Sequence, residues 1–342
     1  MSARENSIGF LRFWLAAQVL VSHAWPLGGF GLDPLMRYSH SRQSLGQFAV
    51  AGFFAISGLL IAESFARLNS LPRFLWHRLL RIFPGFWVCL LVTVFAFAPY
   101  QYYREHSSLV GYWSTTVDSP THYLVNNGLL HMWQWSVAGL LKQVPYKDAF
   151  DGSLWSLIYE FRFYLCTGLM GLLGLLGTRK KLGGVLALTT IIVCIALFDT
   201  GHAAELGSYY AAGTAWYAFR QYVPMRSDLA IGTVLTMALT MRFGGWFIAG
   251  PFCMVYLLMF LAQRLPFRRF DARGDFSYGF YIYAFPIQQL LAGFNVHKQG
   301  IVPYILWSAA LTMPLAVASY LLIEKPFLRM KNFSMRRTAP AR

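Results

Sequence analysis

The sequence predicts an all-α, polytopic integral membrane protein with about ten transmembrane helices, and three observations predict it. Of 342 residues, 56% are hydrophobic and only 13% are charged, about half the charged share of a soluble domain. Apolar runs near the ~20 residues that cross a bilayer recur along the whole chain, with no gap of soluble-domain length. The basic residues, in turn, gather between alternate runs. A soluble multidomain enzyme, a disordered chain and a fibrous repeat are excluded, because too few polar side chains remain to cover a globule of this size.

The runs lie at about 8–30, 46–66, 82–99, 153–177, 183–199, 205–222, 228–242, 245–263, 276–294 and 303–323. The first begins at Ile8 and passes Trp25 without a small-residue cleavage pattern, so it reads as a retained span rather than a signal peptide. The sixth and seventh are the weakest, with Arg220, Pro224 and Arg226 crowded at their junction and Gly213 interrupting the apolar surface. Ten spans put both ends on one side. With the N-terminus inside, the external set is Arg37, Arg42, Arg104, Lys142, Lys147, Arg242 and Lys298, and Arg12 and Arg162 lie within spans. That leaves 20 of the 29 basic residues inside. The net charge of +15 therefore reads as a topology signal and not as a nucleic-acid surface.

Residues 1–330 form one membrane-embedded domain, multi-pass in the inner membrane with both termini cytoplasmic, and 331–342 form a short basic cytoplasmic tail. The external stretch of about 100–152 reads as the longest non-helical segment. Its Tyr, Trp and His residues, among them Tyr112, Trp113, His131 and Trp135, serve either as interfacial anchors or as stacking surfaces for sugar rings. Cys89, Cys166, Cys194 and Cys253 all fall in apolar runs and read as buried, unpaired thiols with no disulfide or metal framework.

Ionisable side chains within a span are costly and suggest function. Arg12 and His23 share the first run. Their spacing turns a helix about 20° past three full turns, so both point the same way, about 16 Å apart along the axis. Glu160 falls about 10 Å into the fourth run from outside, close to the depth of His23. These depths predict a His23–Glu160 pair, with the carboxylate holding the imidazole and stabilising its protonated form. The structural alternatives are an Arg12 reaching headgroups, a His23 bonded to a backbone carbonyl and a Glu160 tying helices through a tyrosine. A Glu160–Arg162 pair is disfavoured, since residues two apart on a helix diverge. In "LPRFLWHRLLRIFPGFW", Arg78 and Arg81 share a helical face near Arg73. That fork suits a phosphate, although an ordinary inner-loop charge signal explains it as well.

Six ordered motifs then carry a resemblance. They are Arg12 to His23 in "RFWLAAQVLVSHAW"; "FFAISGLLI" with Ser57 and Gly58; Arg78 with Arg81; "WSLIYEFRFY" with Trp155, Ser156, Glu160, Phe163 and Tyr164; Ser277, Tyr278, Tyr281 and Pro286; and Glu324, Lys325 and Pro326. Together, over residues 8 to 330, they resemble the acyltransferase-3 family of integral-membrane O-acyltransferases. Two departures from the pattern of many members stand out: Ala284 stands where they have His, and Phe161 and Arg162 where they have Glu-Gln. No catalytic role rests at Ala284. The chain reads as a stand-alone module without the hydrolase-like domain that some members append.

The resemblance implies transfer of an acyl group, most often acetyl, from cytoplasmic acetyl-CoA to a hydroxyl of a carbohydrate. The acceptor would be a surface polysaccharide, a lipid-linked glycan or an oligosaccharide. Acetyl-CoA is then a substrate, with no permanently bound cofactor and no metal. A hydroxyl is a poor nucleophile at neutral pH and needs a base; His23 is the candidate, with Glu160 as its orienter. Arg12, Ser57, Arg78 and Arg81 are expected to face the donor, and Trp155, Tyr164 and Tyr281 the acceptor. The rival reading is a transporter or flippase without chemistry, which also places His, Glu and Arg in a membrane cavity. No correspondence between chain halves of the kind transporters show is visible.

Overall fold

The computed structural model describes residues 6–196 and 201–332; Arg4 and the tail from 333 onward lie outside the described residues. Among the described residues all regular structure is helical. In chain order the helices are α1 (Ile8–Leu27), α2 (Pro34–Tyr38), α3 (Leu45–Leu68), α4 (Leu71–Val92), α5 (Ala98–His106), α6 (Pro120–Asn127) and α7 (Leu157–Leu172). They continue as α8 (Lys180–Ala196), α9 (His202–Phe219), α10 (Ser227–Phe243), α11 (Trp246–Arg264), α12 (Ser277–Gly293), α13 (Ile301–Ser319) and α14 (Lys325–Arg329).

Each of the ten predicted runs holds a helix. By length and composition, four continuous helical stretches suffice to cross a bilayer: Leu45–Leu68, Leu71–His106, Trp246–Arg264 and Ile301–Arg329. The chain is thus a multi-pass, all-helical membrane protein.

Three expectations are corrected. The inner segment before the third run is not a loop, because α4 begins at Leu71, after Asn69 takes a left-handed conformation that ends α3. Arg73, Arg78 and Arg81 therefore ride on helix and not on a loop. The 100–152 stretch is not structureless, since it contains α5, a 3₁₀ turn at Tyr112–Ser114 and α6. Of the four free thiols only Cys89 is buried, and Cys166 lies on the exposed surface of α7.

Packing explains why α12 sits at the centre. Every residue from Ser277 to Ala292 is buried, and α1 and α13 pack along it. Gln288 donates to the Leu20 carbonyl of α1 at 2.9 Å and accepts on its own carbonyl from Tyr304 of α13 at 2.7 Å. The tightest crossing joins α3 and α9 at Gly58 and Gly213. A Cβ on Gly58 would lie 2.0 Å from the Tyr210 carbonyl oxygen, and one on Gly213 2.1 Å from that of Ala55. Small residues let backbones approach where apolar burial between helices supplies little drive. By contrast α10 buries only Ala230, Met237 and Met241. Its Thr233, Thr236 and Thr240 hydroxyls bond back to carbonyls four residues earlier, which satisfies them on an apolar face.

Candidate active site

Two cavities flank the start of α7. The larger, about 670 Å³, opens at the end of the bundle that carries the aromatic loop. His23 of α1, Phe285 of α12, Trp155 of the 3₁₀ turn that leads into α7, Tyr159 of α7, and Trp135 and His131 of the loop line it. The His23 and Phe285 rings meet edge to face with centroids 5.2 Å apart, and among the described residues the buried His23 Nδ1 has no hydrogen-bond partner. Gly152 is required here, because a Cβ on it would fall 2.6 Å from the Phe285 ring.

The loop wall is held by polar contacts, long-range from Gln289 of α12 and local from Asn127 and Asp151. Gln289 donates to the Tyr146 and Ala149 carbonyls at 2.9 and 2.6 Å. Asn127 accepts from the Trp133 and Gln134 amides and donates to the Gln134 carbonyl. Asp151, fully buried, accepts from the Ser153 amide at 2.9 Å and its hydroxyl at 2.6 Å, anchoring the entry to α7. Burial pushes the Asp151 carboxyl up to about 7 despite the Ser153 and Cys89 donors.

The second cavity, narrow at about 50 Å³, lies deeper and is lined by Arg12, Ser57, Arg81, Ser156, Glu160 and Tyr281 among others. Tyr281 donates to the Ser153 carbonyl at 2.8 Å and shares a 2.8 Å contact with the Ser156 hydroxyl. Tyr281 and Phe285 stand one turn apart on α12, so one helix face serves both cavities in succession. Glu160 accepts from the Tyr164 hydroxyl.

Beyond this cavity a charge cluster ties four elements together. Asp275, just ahead of α12, binds Arg12 of α1 and Arg81 of α4, the latter at 2.8 Å. It also accepts from the Ser277 amide and hydroxyl. Glu324, in the π-helical turn Tyr320–Glu324 just before α14, takes the other Arg81 nitrogen at 3.2 Å. Burial alone would raise Asp275, but Arg12 and Arg81 together with the Ser277 donors hold it well below the usual carboxylate range. Among the described residues Arg78 makes no ion pair with a carboxylate. It donates to the Ser64 hydroxyl at 3.3 Å, lies over the Phe74 and Tyr164 rings, and leaves Nε unpartnered.

The predicted His23–Glu160 pair is not formed. His23 faces the outer cavity and Glu160 the narrow one, because Trp155, Ile158 and Tyr159 take one side of α7 and its leading 3₁₀ turn while Ser156, Leu157 and Glu160 take the other. Glu160 is bonded to a tyrosine, but to Tyr164 one turn along its own helix, so this bond does not tie helices together. Arg12, Ser57, Arg81 and Tyr281 do share the narrow cavity, and Trp155 lines the outer one beside His202, with ring centroids 4.6 Å apart. Tyr164 sits behind Glu160 with its hydroxyl spent there. Sequence reading missed Asp275 and His202. The signal for Asp275 was its place two residues before Ser277, a spacing suited to capping a helix start.

No solved structure matches the chain. It is 27% identical to an O-acetyl transferase of Shigella phage Sf6, over 95% of this chain and 96% of that protein. It is 25% identical to Nodulation protein 10 of Rhizobium leguminosarum bv. viciae, over 97% of this chain and 95% of that one. The family described as "Acyltransferase domain" matches residues 5–323. The bundle, its motif residues and this match together place the chain in the acyltransferase-3 family of membrane acyltransferases.

Proposed function

We propose that the protein moves an acyl group, acetyl in the first instance, from cytoplasmic acyl-CoA to a hydroxyl of a cell-surface or exported carbohydrate. In this reading ten helices cross the inner membrane, both termini are cytoplasmic, and the aromatic loop faces outward. The observation that carries it is His23, whose unpartnered ring nitrogen stands at the wall of an aromatic cavity of about 670 Å³. A sugar ring fits such a wall, stacking on Trp155.

The donor enters from the basic end. Its phosphates meet Arg78, and its slender pantetheine arm follows the narrow cavity past Arg12, Ser57 and Arg81. His23 takes the acceptor hydroxyl proton as its oxygen attacks the thioester carbonyl. The carbon–sulfur bond then breaks, and the proton passes to the departing thiolate to give free CoA. Glu160 enters as a wall group of the donor path and not as a partner of His23.

The test is single-turnover transfer from radiolabelled acetyl-CoA by purified protein in nanodiscs, with a panel of oligosaccharide acceptors. Label is expected on the acceptor. Absence of both transfer and acetyl-CoA hydrolysis, together with glycan movement across sealed vesicles, would instead favour the transporter reading.

A further inference from the structure

We propose that Lys331, in the segment after α14, completes a phosphate-binding site with Arg67 and Arg78, and that its ligand is the phosphate-bearing part of the acyl donor. The proposal rests on the acyl-CoA reading above.

The segment is docked and not merely trailing. The Trp76 indole donates to the Met330 carbonyl at 3.3 Å, and the His77 ring lies 3.2 Å from the Lys331 carbonyl. Both partners belong to α4, directly before Arg78, so the Lys331 backbone is fixed beside the arginines. Two carboxylates of the neighbouring charge cluster are already committed: Asp275 to Arg12 and Arg81, Glu324 to Arg81. Arg81 is thereby neutralised, and Arg78 keeps an unpartnered Nε.

The charged side chains that bear on Lys331 are Arg78, Arg81 and Arg67, and Arg73 bears on the neighbouring His77. Burial first, then these cations, lower the Lys331 ammonium to about 8. Glu160 attracts Arg78, but among the described residues no carboxylate bears on Lys331, so the mutual repulsion of these cations raises the energy of the empty site and a polyanion relieves it. A phosphate could come from a nucleotide or from a lipid headgroup. The donor is favoured by continuity: Arg78 lies over Tyr164, which binds Glu160, a wall residue of the narrow cavity.

The test is calorimetric titration of CoA into the full-length protein in phosphatidylcholine nanodiscs. Lys331→Gln should weaken CoA binding by about tenfold to a hundredfold, the range for hydrogen bonds to charged groups. Lys331→Arg should retain most of the affinity. Pantetheine, which lacks the phosphates, should bind both proteins equally. At pH 8 the wild type should take up a fraction of a proton on binding CoA, visible as a buffer-dependent enthalpy that Lys331→Gln reduces. The same loss should appear in phosphatidylglycerol nanodiscs. Wild-type CoA affinity in Lys331→Gln, whether or not anionic-lipid retention changes, would overturn the donor site. A wild type that binds no CoA would overturn the acyl-CoA reading itself.

Discussion

Arg12 and His23 stand on one stripe of α1, yet their surroundings handle an ionisable group in opposite ways. At the His23 end, neighbours are aromatic rings and loop backbone, the cavity is wide, and the buried Nδ1 goes without a partner. At the Arg12 end, charges interlock: Arg12 and Arg81 against Asp275, and Arg81 again against Glu324. An unpartnered polar atom is a cost to folding that function can use. A matched ion cluster holds four elements in place, and removing one member strands the others in low dielectric. The contrast assigns chemistry to the loop end of α1 and architecture to its basic end.

The sharpest way to break this comparison is to remove His23. His23→Ala should lower single-turnover acyl transfer about 10²–10⁴-fold, the usual share of general acid–base catalysis. Thermal unfolding and acyl-CoA binding should stay near wild type. Unchanged transfer by folded protein would make His23 structural and erase the distinction between the two ends.

Arg81→Ala should show the reverse balance. It leaves Glu324 buried without its cation and removes one of the two on Asp275, so destabilisation of about 3–5 kcal/mol is expected, read as a lowered unfolding temperature in detergent. An unfolding temperature within a degree of wild type would show that the cluster does not hold the bundle.

Gly58→Ala probes whether architecture extends to the neighbouring helices. The added methyl would collide with the Tyr210 carbonyl, so α3 and α9 must separate, at about 1–3 kcal/mol for overpacking. Weakened stability with transfer per folded molecule preserved is expected. A selective loss of activity would instead connect this crossing to the cavity beside Ser57.

The smallest effect concerns Asp151 in the loop wall. Burial raises its carboxyl from 3.8 to about 7. Between those values the folded protein keeps a proton that the unfolded chain has lost, so this group's contribution makes stability fall as pH rises from about 4 to 7. Asp151→Asn, which still accepts from Ser153, should flatten that slope and unfold at a higher temperature than wild type at pH 8. An unfolding temperature measured from pH 4 to 8 with the same slope in both proteins would show that the carboxyl is not shielded as the structure places it.

By itself the sequence determined that the chain is helical, apolar and multi-pass, because a bilayer accepts runs of fixed length and the runs can be counted. Ordered motifs likewise determined the family. Axial position was also legible: Arg12 and His23 lie toward opposite ends of α1, because rise per residue is constant. Only the tertiary structure decided which groups meet. His23 and Glu160 share a computed depth yet line different cavities, because depth follows from residue number, whereas the rotation of one helix against another follows from side-chain packing along both. Asp275 joins Arg12 and Arg81 across three elements far apart in the chain, and the docking of Lys331 on α4 runs through backbone carbonyls of Met330 and Lys331 that no side-chain pattern advertises.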